Sequence, residues 1–176
     1  MDRSFFAYIN RIFKLVVIIV FVILITRAFV VEPGRVNGRS MEPTYYDEEV
    51  FLVNKYSLLF TPPHRGMVVQ FFDETSTDLV LKRVIGLPGE TVEIRGDNVY
   101  ITDEEGTTFN LYEPYLAKKI IGYKPVCNIE SGEISVIPEH SYFVMGDNRD
   151  YSTDSRHFGP IHRSFINGLV MDVPFF

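Results

Sequence analysis

Two side chains separated by 42 positions suggest acyl-transfer chemistry. Ser40 lies in Gly38-Arg39-Ser40-Met41-Glu42-Pro43-Thr44, and Lys82 lies in Leu81-Lys82-Arg83-Val84. A serine hydroxyl is a poor nucleophile until a neighbouring base removes its proton. Lysine, with an ordinary pKa near roughly 10.4, serves as that base only when apolar burial disfavours the ammonium. The local sequence provides such surroundings, because Lys82 is embedded among Leu79, Val80, Leu81, Val84 and Ile85. Gly38 permits close backbone approach and Pro43 stiffens the chain just beyond, which puts Ser40 on an irregular loop. The pair therefore suggests a peptide-cleaving dyad.

A third segment, Gly146 to Pro160, places Asp147, Asn148, Asp150 and Asp154 among Arg149, Arg156, Ser152 and Ser155. Its oxygens could suggest calcium, but the spacing of an EF-hand loop is absent and two arginines supply counter-charges. The acids are expected to pair with those arginines, leaving a hydroxyl such as Ser152 to orient a buried amine. No metal and no organic cofactor is required. Of His64, His140, His157 and His162, only His157 falls inside this segment, where it reads as a loop residue.

The elements that must position these groups begin with an apolar N-terminus. Leu15 to Thr26 is uncharged but covers only about 18 Å as a helix, against a hydrocarbon core of about 30 Å. Extension from Ile12 to Val31 closes the gap if Lys14 and Arg27 reach toward head groups. No small-x-small site follows in Arg27-Ala28-Phe29-Val30-Val31-Glu32-Pro33, so the segment reads as a retained anchor. The organisation expected is a tail over 1–11, a transmembrane anchor over 12–31 and a catalytic domain over 32–176. Basic residues flank the span on both sides; the short leader favours a cytoplasmic N-terminus and a domain on the extracytoplasmic face.

The chain of 176 residues, 46% of them hydrophobic, fits one globular domain plus that anchor. The whole carries 17 basic and 23 acidic side chains; residues 1–31 hold four and one of these, which leaves 13 against 22, a net of −9, beyond the anchor. That acidity argues against a nucleic-acid partner. Cys127 is the only cysteine, so an intramolecular disulfide is impossible. Short β-branched and aromatic runs at 50–53, 67–72, 79–85, 91–94, 99–101, 134–137 and 142–145 predict a mainly β domain, an antiparallel sheet coiled or closed into a barrel. Residues 90–110 predict a hairpin, and 116–121 fit either a short helix or an edge segment. If 79–85 is a strand, Val80, Lys82 and Val84 share one face and Leu81, Arg83 and Ile85 the other, so one of the adjacent cations must face inward or into a cleft. The Leu58-Leu59-Phe60 run before Pro62-Pro63 fits either packing or contact with lipid.

Taken in order, Gly38-x-Ser40-Met41-x-Pro43-Thr44, Lys82-Arg83-Val84-x-Gly86-x-Pro88-Gly89 and Gly146-Asp147-Asn148-x-x-x-Ser152-x-Asp154-Ser155-Arg156 resemble the type I (leader) signal peptidases, membrane-bound Ser/Lys proteases that remove signal peptides from exported proteins. The resemblance implies Ser40 as nucleophile and Lys82 as general base. It further implies that Ser152 hydrogen-bonds the lysine, that Asp154 and Arg156 brace the site, and that small substrate side chains bind near Met41, Val80 and Leu81. Its partners would be signal-peptide-bearing preproteins and the lipid bilayer of the cell membrane, with no obligate protein partner. Three features depart from the commonest pattern. Gly38 stands where many relatives carry a serine that helps hold the oxyanion, Arg65-Gly66-Met67 replaces the usual Arg-Gly-Asp, and the large second domain of some members is missing. A self-cleaving Ser/Lys repressor would share the dyad but carry a basic DNA-binding domain in place of the apolar anchor.

Overall fold

A computed structural model describes residues 3–29, 31–73, 78–116 and 134–171; Cys127 and the segment 117–121 lie outside these. The N-terminal helix α1 spans Arg3–Phe29, with no glycine or proline in its sequence to interrupt it. Within it Phe6–Ile25, 20 residues of mean hydropathy 2.4, is long and apolar enough to cross a membrane, and none of it is buried inside the protein. At about 1.5 Å per residue it matches a hydrocarbon core of about 30 Å. The apolar stretch starts upstream of the expected Ile12 and takes in Arg11 and Lys14, because a helix propagates through charged side chains that stop a hydrophobic run. Val31, expected to end the helix, instead opens the first strand.

Seven strands form the main antiparallel sheet. In chain order they are β1 (Val31–Arg35), β2 (Val50–Asn54), β3 (Val68–Phe72), β4 (Leu79–Gly86), β9 (Ser141–Met145), β10 (Ile161–His162) and β11 (Ile166–Met171). Their spatial order is β1-β2-β11-β3-β4-β9-β10, so the sheet ends at β1 and β10 and curls without closing its hydrogen-bond ladder. A smaller sheet, ordered β7-β6-β5-β8, joins β5 (Thr91–Arg95), β6 (Asn98–Thr102), β7 (Thr108–Asn110) and β8 (Ile134–Val136). The hairpin expected over 90–110 is thus a three-strand meander; Gly96, at φ 60°, supplies the positive φ that its tight first turn requires.

Seven runs foreseen as strands are strands; β1, β7, β10 and β11 were not expected. The last matters most, since β11 lies inside the sheet, between β2 and β3. Its sequence Ile-Asn-Gly-Leu-Val-Met lacks clean alternation, and its register with β3 shifts between Ile166 and Gly168. A Cβ on Gly168 would stand 2.3 Å from Val53 Cγ1, so the residue that spoils the strand pattern is the one that lets β11 lie against β2.

Three apolar clusters hold the domain. Met41, Val36, Tyr45, Phe51, Val53, Val68 and Leu81 lie beneath the Ser40 loop. A second joins Val69, Phe71, Val84, Val144, Ile161 and Leu169. The third packs the small sheet onto the main one through Ile85, Phe143 and Met145 against Val92, Val99, Ile101 and Ile137. Strand β4 contributes to all three, so both of its faces are covered.

Gly168→Ala is therefore expected to destabilise the domain by about 1–3 kcal/mol through overpacking against Val53. Urea unfolding of wild type and variant measures it, and an unchanged midpoint would contradict this reading of β11.

Candidate active site

Ser40 is half-buried in the turn that follows β1, and the chain reaches it through Gly38 at φ 89°. Open space surrounds a Cβ built at position 38, so glycine is favoured there by backbone conformation and not by crowding. The Gly38 N–H donates to Asp47 Oδ1 at 2.8 Å, which ties down the approach to the serine turn. Met41, fully buried, pins the other side of Ser40 into the apolar cluster below. The carbonyl oxygen of Ser40 accepts from Asn148 N–H at 3.0 Å, tying the serine turn to the loop after β9.

Lys82 lies on β4 with 5% of its surface exposed, and its Nζ stands 3.0 Å from Ser40 Oγ. The same nitrogen donates to the Leu81 carbonyl at 3.0 Å. No carboxylate is within hydrogen-bonding distance of it among the described residues. Burial accordingly dominates and lowers the amine from 10.5 to about 8; the more distant charges of Asp154, Asp73 and Asp147 pull upward, while Arg156 adds to the depression.

Arg83, the next residue, is also buried, at 9% exposure, on the opposite face. One inward cation was expected; both turn inward, because β4 has protein on both faces. Arg83 has what Lys82 lacks. Its Nε and Nη2 donate to the two oxygens of buried Asp147 at 2.8 and 2.5 Å, Nη1 donates to the Gly66 carbonyl at 2.6 Å, and the Tyr115 ring lies 4.1 Å from the guanidinium. Burial pushes this guanidinium down, but the hydrogen bonds and charge of Asp147 outweigh it and hold it above its ordinary value. Thr44 Oγ1 donates to Asp147 Oδ2 at 2.5 Å, so this pair also anchors the serine turn.

Asp154 is completely buried and caps α2 (Ser155–Phe158). Its oxygens accept from Arg156 Nε at 2.8 Å, Arg156 Nη2 at 2.9 Å, Gly146 N–H at 2.9 Å and Ser152 Oγ at 2.7 Å. Burial alone would raise its pKa, yet the hydrogen bonds and charge of Arg156, with the Gly146 and Ser152 donors, hold the carboxyl below the usual range. Ser152 thus orients Asp154. The expected hydrogen bond from Ser152 to Lys82 is not formed, since the lysine amine has Ser40 and Leu81 as its partners. His157 accepts from the Asp154 N–H at 3.4 Å and completes the cap.

The expected internal pairing of the 146–160 segment holds for Asp154 with Arg156 but not for the others. Asp147 reaches back to Arg83, and Arg149 pairs with Glu113. Sequence reasoning passed over Thr44, Arg83, Asp147 and Gly146 as site residues. Gly146 is constrained by crowding: a Cβ there would stand 2.3 Å from Ser152 Oγ and 2.5 Å from the Ser40 carbonyl oxygen. All four lie in motifs that the sequence singles out, but the 64-residue separation of Arg83 from Asp147 hides their pairing. Among the described residues no group of three or more His, Cys, Asp or Glu side chains could hold a metal ion. Of the three residues expected to line the substrate site, Leu81 is buried beside Met41, while Val80, half-buried, lies on the Lys82 face.

A buried, depressed lysine costs the fold stability. Below pH of about 8 both folded and unfolded chains keep the proton, and the full penalty of about 3 kcal/mol is present. Between about 8 and 10.5 the unfolded chain holds more protons, so stability rises with pH through that window. Lys82→Met should therefore raise unfolding free energy at pH 7 by up to about 3 kcal/mol, with the gain shrinking above pH 8. Urea unfolding at several pH values checks this, and a loss of stability at pH 7 would contradict it.

The sequence and fold both have known counterparts. A family model described as signal peptidase, peptidase S26, matches residues 9–174. Signal peptidase I V of Bacillus subtilis is 38% identical over 146 residues, which cover 78% of this chain and 82% of the relative. Signal peptidase IB of Staphylococcus aureus is 38% identical over 159 residues, covering 86% of this chain and 82% of the relative. The crystal structure of a signal peptidase I from Enterococcus faecalis superposes with a TM-score of 0.51 at 34% identity, over 63% of this chain and 98% of that one. With a serine hydroxyl against a buried amine at its centre, the chain belongs to the peptidase S26 family of serine endopeptidases, as a type I signal peptidase.

Proposed function

We propose that this enzyme removes signal peptides from exported preproteins by cutting after small-x-small sites, with Ser40 as nucleophile and Lys82 as general base. The observation that carries the reading is the 3.0 Å approach of Lys82 Nζ to Ser40 Oγ, with no carboxylate partner for the amine among the described residues. Neutral Lys82 accepts the hydroxyl proton as Ser40 attacks the scissile carbonyl carbon, and the C–N bond of the resulting tetrahedral adduct then breaks. The ammonium returns that proton to the departing amine, and water hydrolyses the acyl-enzyme. The Ser40 N–H helps stabilise the oxyanion.

An unfinished ladder supports one route for the substrate. Along β4, residues 79–83 pair with β3, whereas β9 pairs only from Arg83 onward. Among the described strands, Leu79 to Lys82 therefore keep one flank outside the sheet ladder, ending at the dyad. An extended peptide adds there as a strand, its main chain supplying hydrogen bonds, and Met41, Val80 and Leu81 limit the side chains it can carry next to the cut.

Phe6–Ile25 anchors the enzyme in the cell membrane with its N-terminus cytoplasmic and the β domain on the extracytoplasmic face. Lipid also meets the domain directly. The register pairs Val31 with Asn54, which brings the turn after β2 beside the end of α1. Asn54 Oδ1 accepts from the N–H groups of Tyr56 and Ser57 at 3.0 Å, and Arg163 donates to the Leu58 carbonyl at 2.5 Å, so this turn is held firmly. Leu58 packs inward, while Leu59 and Phe60 remain 72% and 70% exposed. Two outward apolar side chains on a fixed turn beside an anchor fit the membrane interface.

Purified enzyme given a preprotein with an Ala-x-Ala site should cut after the second alanine, with kcat/KM rising through an apparent pKa of about 8 as Lys82 loses its proton. Ser40→Ala and Lys82→Ala should each abolish cutting; retained cleavage by either would refute the dyad. Leu59→Glu with Phe60→Glu should weaken the stimulation of cleavage by phospholipid vesicles. The same stimulation in variant and wild type would refute the lipid contact.

A further inference from the structure

Asn148 is the exception in a site where the buried polar side chains around it have partners. It is 8% exposed, and both of its main-chain groups are fixed: its N–H donates to the Ser40 carbonyl at 3.0 Å and its carbonyl accepts from Tyr151 N–H at 3.1 Å. It occupies the N-cap position of the short 3-10 turn Arg149–Tyr151, where an asparagine ordinarily hydrogen-bonds the backbone, yet its side chain makes no capping bond. Its carboxamide has no hydrogen-bond partner among the described residues. By contrast Asp147, Ser152, Asp154 and Arg156 are bonded by Arg83, Thr44, Gly146 and one another. A largely buried asparagine whose carboxamide meets only solvent, next to a nucleophile, is available to a partner that arrives from outside.

The carboxamide offers one acceptor and one donating NH2, which complement the N–H and C=O of a peptide main chain. Neither of its polar atoms is sealed from solvent, so a ligand can reach them. Its tip lies on the order of 4 Å from its own Cα by covalent geometry, and its N–H is already bonded to Ser40. That reach confines its contacts to the immediate neighbourhood of the bond being cut. We propose that the Asn148 carboxamide is a substrate-binding group that hydrogen-bonds the peptide main chain within one residue of the scissile bond. The assignment rests on the peptidase function proposed above.

The test uses full-length enzyme in detergent and a set of signal-peptide substrates in which single non-scissile amides around the cut are replaced by esters, removing one N–H at a time. Asn148→Leu, close to isosteric, should lower kcat/KM on the all-amide peptide by 10- to 100-fold while leaving the Tm at or above that of wild type. At one position within a residue of the cut, an ester should slow the wild type at least fivefold and leave the variant unaffected. If the leucine variant does not fold, Asn148→Ala carries the same comparison. Activity within twofold of wild type, a Tm that falls together with activity, or ester penalties equal in both enzymes would each overturn the role of Asn148. Failure of the wild type to cut the all-amide peptide would instead reject the peptidase function, and the substrate site with it.

Discussion

The site depends on withholding a counter-ion. A lysine amine held next to a carboxylate stays protonated, and its pair is then a structural salt bridge; the same amine in an apolar setting, with only a hydroxyl and a carbonyl as partners, gives up its proton near neutral pH. Lys82 is in the second situation, with Ser40 Oγ and the Leu81 carbonyl as its hydrogen-bond partners. Its acidic neighbours act through distance, and two of them are occupied by other donors. Asp147 is bound by Arg83, and Asp154 by Arg156, Ser152 and Gly146. Two arginines thereby keep two buried carboxylates from capturing the amine while giving the loops around it fixed positions.

Adjacent cations on one strand show how little separates a base from a brace. Lys82 and Arg83 have similar burial and share a backbone, but alternation sends them to opposite faces. On one face Asp147 waits with two oxygens matched to the planar guanidinium fork; on the other, Lys82 shares its side of the strand with the apolar Val80 and Val84. The brace also reaches the nucleophile, because Thr44 on the serine turn donates to the same aspartate, and Asn148, next to Asp147, holds the Ser40 carbonyl. The nucleophile, the base and the loop after β9 are consequently one connected unit spread over more than a hundred residues of sequence.

Much of this was legible from the chain alone, in proportion to how local the physics is. The alternation of 79–85 and the apolar neighbours of Lys82 already demanded a buried cation, and the runs that became β2 to β6, β8 and β9 declared themselves by composition. What failed to show was decided by contacts distant in sequence. Strand β11 hides because its Gly168 answers to Val53, not to its own neighbours, and the pairing of Arg83 with Asp147 cannot be read from either segment. The hydroxyl of Ser152 was expected at the lysine and lies at Asp154, since a carboxylate is the stronger acceptor within its reach. The apolar helix begins upstream of Ile12 for a different reason: charge limits a hydrophobic run, whereas helix propagation continues through Arg11 and Lys14 to Arg3.

The arrangement stands or falls on the protonation of one nitrogen. Nuclear magnetic resonance of enzyme labelled with 13C at lysine Cε, with Lys82 assigned by its loss in the Lys82→Met variant, follows that amine directly across the alkaline range. A midpoint near 8 for Lys82, with the exposed lysines titrating near their ordinary value of roughly 10.4, is the result expected of an amine held uncharged by burial. A midpoint for Lys82 at or above that of the exposed lysines would contradict it, and would make the 82–40 contact an ordinary ammonium-to-hydroxyl hydrogen bond.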